Sequence, residues 1–300
     1  MTGRDVLSRR ALLSGAGGLA LAALAGRVTH ADQPPSSTPN TGTLNYDSLR
    51  ERGVLRIPYY EDFAPYSAST PEGPKGIDIE IAREVARRTG FQPDFFPLMA
   101  GEKIDDDLRN GIWRGNLVDR TVGDIMFHVP YDKQIQINND LIVLFGPYFE
   151  EGFAIAANPD SMPGGLDPET DGDKRIGVEI DTMPDFFLAS GNGGRLRAAT
   201  VHFTRPSDAV AALGRGELDA VILQAAQLEA FAPTLAPGAA VKPFLMGGMF
   251  RSRWTVGCAI RDTCRPLVYE VGDALAAMKD DGTMARLFAD AGVTYWAPQR

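Results

Sequence analysis

Gly76-Ile77-Asp78-Ile79-Glu80-Ile81-Ala82-Arg83-Glu84-Val85-Ala86-Arg87-Arg88-Thr89-Gly90 is the stretch that decides the fold class. Ile77, Ile81 and Val85 recur every four residues, Glu84 and Arg88 form an i,i+4 pair, and Gly90 suits a helix stop. Residues 76–90 are therefore predicted to be an amphipathic helix. Before it, Val54-Leu55-Arg56-Ile57 follows a turn at Gly53 and reads as a strand that Pro58 limits. After it, residues 91–96 are strand-like. Strand, helix, strand is the signature of an α/β chain with a parallel sheet.

Outward from there the alternation continues. Residues 123–128 form a short apolar strand with Asp124 at its start, and residues 153–156 form another. A loop rich in Pro, Gly and Asp covers residues 158–173. A second α/β unit then begins: strand 175–178, helix 181–190, strand 198–203, helix 207–213, strand 218–223. Residues 253–260 read as a last strand. Residues 266–278 read as a helix with Leu267, Val271, Leu275 and Met278 on its apolar face, and Thr283 caps a final helix. The glycine-rich run at 190–195 follows a helix rather than a strand, which excludes a dinucleotide-binding loop.

The chain of 300 residues carries a formal charge of −9, with 44% hydrophobic and 23% charged residues. An acidic surface opposes binding to nucleic acid or anionic membranes, and the apolar share is that of a folded protein. The length suggests two domains. Cys258 and Cys264 are the two cysteines, and His30, His128 and His202 have no HExxH spacing. No disulfide scaffold or metal site is expected. A bond between the two cysteines, and two small buried thiols, are both compatible with their spacing.

Ser8-Arg9-Arg10-Ala11-Leu12-Leu13 followed by a short glycine-broken apolar run reads as a twin-arginine export signal over residues 1–31. Residues 32–43 are a Pro/Ser/Thr leader without enough apolar surface to order. A periplasmic location is expected, with no cysteine near the cleavage region for a lipid anchor.

The ordered set of segments resembles family 3 extracellular solute-binding proteins. Gly53-Val-Leu-Arg-Ile, Ala64-Pro65-Tyr66, Gly76-Ile-Asp-Ile-Glu-Ile-Ala, Asp124 and Gly146-Pro147-Tyr148-Phe149 resemble the first lobe. Arg175-Ile-Gly-Val and Ala212-Leu213-Gly-Arg-Gly-Glu-Leu-Asp219-Ala-Val resemble the second, and Val256-Gly-Cys-Ala-Ile-Arg with Asp281-Gly282-Thr283 the return to the first. The resemblance implies a periplasmic binding protein type II fold: two α/β lobes with parallel-rich sheets, joined by two hinge strands. Lobe one would comprise residues 44–150 and 252–300, and lobe two residues 151–251. The ligand would sit in the cleft, and the lobes would close around it by hinge motion.

The resemblance also implies where the ligand contacts lie. Glu61, Phe63 and Tyr66 follow the first strand, where the family places side chains over the ligand; loop packing is the alternative for the two aromatics. Asp78 opens the helix after Gly76, where a carboxylate also compensates the helix dipole. His128, Tyr131 and Asp132 occupy the ligand segment after the Asp124 strand, although a histidine at a strand end is also a common packed residue. Asp181 and Thr182 precede a helix and suit either its N-cap or an anion contact. Asp105-Asp106-Asp107 reads as a solvated first helical turn rather than a cation site.

The sequence departs from the family's amino-acid clamp. No arginine stands between Thr121 and Tyr148, and Gln224 occupies the position of the amino-binding aspartate. Both charge partners of an α-amino acid are altered, so an ordinary α-amino acid is not the expected ligand. Arg205, Arg251 and Arg253 are spare cations for an acidic solute.

The expected function is capture of a small polar or anionic solute, without catalysis or cofactor, by a monomer serving an ABC importer. The alternative is a periplasmic accessory of a quinoprotein methanol or alcohol dehydrogenase, binding its cofactor or the enzyme, since the phrase 124–130 with Gly146-Pro-Tyr148 looks like such relatives. An enzyme on this fold is the third reading. A dehydratase would need a base, for which His128 and Glu61 qualify by position alone, and a lytic transglycosylase would need a further domain with a catalytic glutamate.

Overall fold

The computed structural model describes residues 44–298 except 236–237 and 248–249. The export signal and leader expected at 1–43 lie outside the described residues. In chain order the elements are α1 (Tyr46–Arg52), β1 (Val54–Tyr60), β2 (Asp62–Phe63), β3 (Ser67–Thr70), β4 (Gly73–Lys75), α2 (Ile77–Thr89), β5 (Gln92–Leu98), α3 (Ile104–Leu108), β6 (Ile125–Pro130), α4 (Lys133–Asn138) and β7 (Ile142–Ala157). There follow β8 (Ile176–Glu179), α5 (Met183–Ser190), β9 (Thr200–Phe203), α6 (Pro206–Gly214), β10 (Ala220–Gln224), α7 (Ala225–Phe231), β11 (Ala240–Pro243), β12 (Arg253–Arg261), α8 (Pro266–Asp280) and α9 (Thr283–Asp290).

Local chemistry sets these boundaries. Asn45 and Ser48 form a reciprocal capping box that starts α1. α2 begins after Gly76, whose φ is +131° and where a Cβ would stand 2.2 Å from the Tyr66 carbonyl oxygen. Only glycine fits that approach. α2 then buries Ile77, Ile81 and Val85, the face read from the sequence. Two boundaries differ from expectation. β1 runs through Pro58 to Tyr60, paired with β5; the strand tolerates proline because it flanks the sheet's hydrogen-bonded partner on one side. Thr283 does not cap α9: Gly282 occupies the cap, and Asp281 accepts the Thr283 N–H at 2.9 Å.

The sheets are mixed rather than parallel-rich. β1–β5, β8–β9 and β8–β10 are parallel. β6–β12, β12–β7, β7–β10 and β7–β11 are antiparallel. The cause is β7, a strand of 16 residues. Its first part pairs with β12 up to Gly152, and its last part pairs with β10 and β11 from Phe153 onward. One hydrogen-bonded sheet, in the order β6-β12-β7-β10-β8-β9, therefore runs through both lobes. The β12 register shifts beside Gly257, where a Cβ would meet the Phe145 carbonyl oxygen at 2.7 Å.

Each lobe has its own core. In lobe one, α2, α8 and α9 pack Val85, Leu275 and Phe288 against Tyr148 and Phe149. In lobe two, α5 covers one face of the sheet with Phe187 and Leu188, and α6 and α7 cover the other with Val210, Leu213 and Leu228. Cys258 and Cys264 are buried free thiols. Asp107 corrects the solvated reading of the acidic run: it is buried and accepts from Tyr60 Oη and Gly101 N–H, both at 2.6 Å. Asp105 accepts from Asn139, and Asp106 pairs with Arg109. No helix among the described residues is long and apolar enough to cross a membrane.

Candidate functional site

The carboxyl ends of β1, β6, β8, β9 and β10 carry the residues singled out from the sequence. In open α/β sheets that edge is where ligands bind. The two lobes meet there through charged side chains. Asp62 Oδ2 of lobe one lies 3.2 Å from Arg205 Nε at the start of α6. Asp132 Oδ2, after β6, lies 2.8 Å from an Arg251 guanidinium nitrogen on the approach to β12. Hydrogen bonding from Arg251 holds the Asp132 carboxyl below the ordinary aspartate range, and the Gln134 N–H adds to it. Glu179, at the end of β8, is pushed upward by burial and then by the nearby Asp62 charge. Two groups of charges therefore bridge the lobes, Asp62 and Glu179 with Arg205, and Asp132 with Arg251.

The remaining lobe-one residues divide between rim and interior. Glu61 is exposed and accepts from Ser69 Oγ at 3.1 Å. Tyr131 is about half exposed, and Asp132 also caps α4 through the Gln134 N–H. Phe63 is half-buried, its ring edge-on to His128 at 5.0 Å. Tyr66 is completely buried: its ring lies 4.0 Å from the His128 ring, beneath Phe63 rather than over the cleft. The close approach at Gly76 explains this, since the Tyr66 carbonyl accepts the Asp78 N–H and pins the segment to α2.

Asp78 and His128 belong to a buried network. Tyr148 Oη donates to Asp78 Oδ1 at 2.6 Å and accepts the His128 backbone N–H at 2.9 Å. His128 Nδ1 is 2.9 Å from Asp78 Oδ2, an ion-pair distance without the angle of a hydrogen bond. His128 itself has φ +58°, a left-handed conformation inside β6 where its pairing with β12 shifts register. Tyr148 was quoted in the Gly146-Pro147-Tyr148 run, but nothing in that run announces a bond to a helix start 70 residues earlier.

In lobe two, Asp181 is exposed, has φ +61°, and donates its N–H to Asp185. Asp185 in turn contacts His202 Nε2 at 2.9 Å. Thr182 stands at the N-cap of α5 without a side-chain cap, because its hydroxyl donates to the Glu179 carbonyl at 2.6 Å. Gln224 ends β10, and its side-chain carbonyl is buried without a hydrogen-bond partner. Glu179 was missed in the sequence because an acidic residue at a strand end carries no motif. Among the described residues, no group of three or more His, Cys, Asp or Glu is placed to hold a metal.

The fold is the two-lobed α/β fold of type II periplasmic binding proteins. An ancestral cationic amino acid solute-binding protein matches with a TM-score of 0.63 at 23% identity, over 82% of this chain and 98% of that one. An amino acid ABC transporter substrate-binding protein from Streptococcus pneumoniae, bound to L-arginine, matches at 0.60 and 18% identity over 84% and 99%. The arginine-bound form of truncated ArgBP from T. maritima matches at 0.54 and 24% over 77% and 99%. At these identities the likeness is one of fold. No family model matches the chain. The membrane-bound lytic murein transglycosylase F of Vibrio cholerae serotype O1 is 35% identical over 65 residues, covering 22% of this chain and 12% of that protein.

Proposed function

We propose that this protein is a periplasmic solute-binding protein that captures a small polar or anionic solute for an ABC importer. Lobe one is taken as residues 44–150 with 252–300, and lobe two as residues 151–251. The observation that carries the reading is the pair of contacts across the cleft, Arg205 with Asp62 and Arg251 with Asp132. A solute carboxylate or phosphate exchanging with Asp62 or Asp132 would meet a guanidinium already placed in the cleft. Gln224 offers its unpartnered carbonyl to a hydroxyl or amide N–H, and it lacks the charge that an α-ammonium needs. Glu61, Phe63, Tyr131, Asp181 and Thr182 form the rest of the proposed contact set. Asp78 and His128 hold the end of β6 from within.

Calorimetry of the exported chain against succinate, inorganic phosphate, L-glutamate and L-arginine tests the proposal. Succinate or phosphate is expected to bind, with affinity falling about tenfold or more in Arg205→Ala or Arg251→Ala. L-arginine or L-glutamate as the tightest ligand would overturn the non-amino-acid reading.

A further inference from the structure

A cavity of about 330 Å³ opens at the crossing strands, lined by residues 149–154 of β7, by parts of α7, β11 and β12, and by residues 293, 294, 296 and 297. None of the cleft residues proposed above lines it. Its volume is that of a small-molecule site. Glu151 is 1% exposed; Oε1 accepts the Gly152 N–H at 2.7 Å, while Oε2 is buried and makes no hydrogen bond of good geometry, the Ala225 and Ala226 backbone at the start of α7 being its polar neighbours. Glu229 stands on the same lining and accepts the Thr294 N–H at 2.6 Å. Glu150 and Arg253 also line it, and Arg253 is exposed to solvent whereas Glu151 is not. Trp296 adds aromatic surface. A buried carboxylate whose neighbours are backbone dipoles and a second carboxylate is costly, and an ammonium N–H supplies both a well-aimed donor and the opposite charge. Aromatic surface favours the same class of guest.

We propose that this cavity is a second binding site, separate from the solute cleft, for a small organic ammonium ion held by Glu151 and Glu229.

Burial pushes the Glu151 carboxyl up to about 8, so near neutral pH an entering cation displaces a proton. The charged groups facing it are Glu229 from α7, Arg253 from β12 and Glu150 from its own strand. The lining residues Val241, Pro243, Val293, Thr294, Trp296 and Ala297 carry no titratable side chain.

The test is calorimetry of the exported chain with butylammonium chloride, against equal sodium chloride, in two buffers of different ionisation heat. One saturable site is expected, with proton release below about pH 8 and with affinity rising toward that pH and levelling above it. Both Glu151→Gln and Glu229→Gln should weaken it by about tenfold or more. Glu151→Gln keeps the shape of the protonated carboxyl, and Glu229→Gln tests the site independently should the first variant not fold. Tetramethylammonium, which has no N–H, should bind about tenfold more weakly than butylammonium. Absence of saturable heat, equal binding by the two ions, or unchanged binding in both variants would overturn the proposal.

Discussion

Arg205 Nε lies 3.2 Å from Asp62 Oδ2, joining the start of α6 in lobe two to β2 in lobe one. Both side chains are mostly exposed, so the pair contributes at most about 1 kcal/mol. It biases the distance between the lobes without locking it.

Arg205→Ala should therefore loosen the closed arrangement at low ionic strength, where exposed charges are least screened. Small-angle scattering would show a larger radius of gyration for the variant in dilute buffer. The two proteins should converge at high salt. Identical curves at low salt would mean that the pair does not influence closure.

Glu151 predicts an unusual pH dependence of stability. Its folded value of about 8 stands above the ordinary 4.5, so the folded state holds the proton more tightly than the unfolded chain. The resulting stability is fully present below pH 4.5 and is lost as pH rises through about 8. The loss is on the order of a few kcal/mol. Chemical denaturation between these limits should show a decline in wild type that Glu151→Gln flattens.

Tyr148→Phe should cost about 1–3 kcal/mol, because it removes the donor to Asp78 and the acceptor of the His128 N–H while both remain buried. Urea titration measures the change. A neutral result would mean that the network is dispensable for the left-handed conformation of His128.

Gly76→Ala should destabilise by about 3 kcal/mol or more, since φ +131° and a contact of 2.2 Å to the Tyr66 carbonyl oxygen leave no room for a Cβ. Gly90→Ala makes the comparison: its φ is +76° with nothing within 4 Å, so its cost should be smaller. Thermal melting of the two variants would rank them.

What could be read from the sequence was what repeats locally. α2 and α8 announce themselves because apolar residues recur at helical spacing, and β8 and β10 because they are short apolar runs. β7 was legible only at residues 153–156, since Gly146-Pro147 and Glu150-Glu151-Gly152 interrupt its pattern although the backbone stays extended. The β2–β3–β4 hairpins were missed because strands of two to four residues carry no period. At the site, the altered clamp at Gln224 was visible as a residue type. The partnership of Asp62 with Arg205 was not, because it exists only once the two lobes are folded against each other. By position Tyr66 suited either a place over the ligand or packing, and its complete burial beside the close contact at Gly76 matches packing.

The strand order β6-β12-β7 has a consequence for biosynthesis. β12 lies between two strands made long before it, so β6 and the first part of β7 leave the ribosome with open edges. They stay unpaired until residues 253–261 arrive, after the whole of lobe two has been made. Such late, non-local pairing slows folding and exposes strand edges to aggregation. Lobe two can order early from its own strands, whereas lobe one is completed only once β12 has been made. A chain truncated before β12 is therefore expected to order lobe two while the edges of β6 and the first part of β7 stay open.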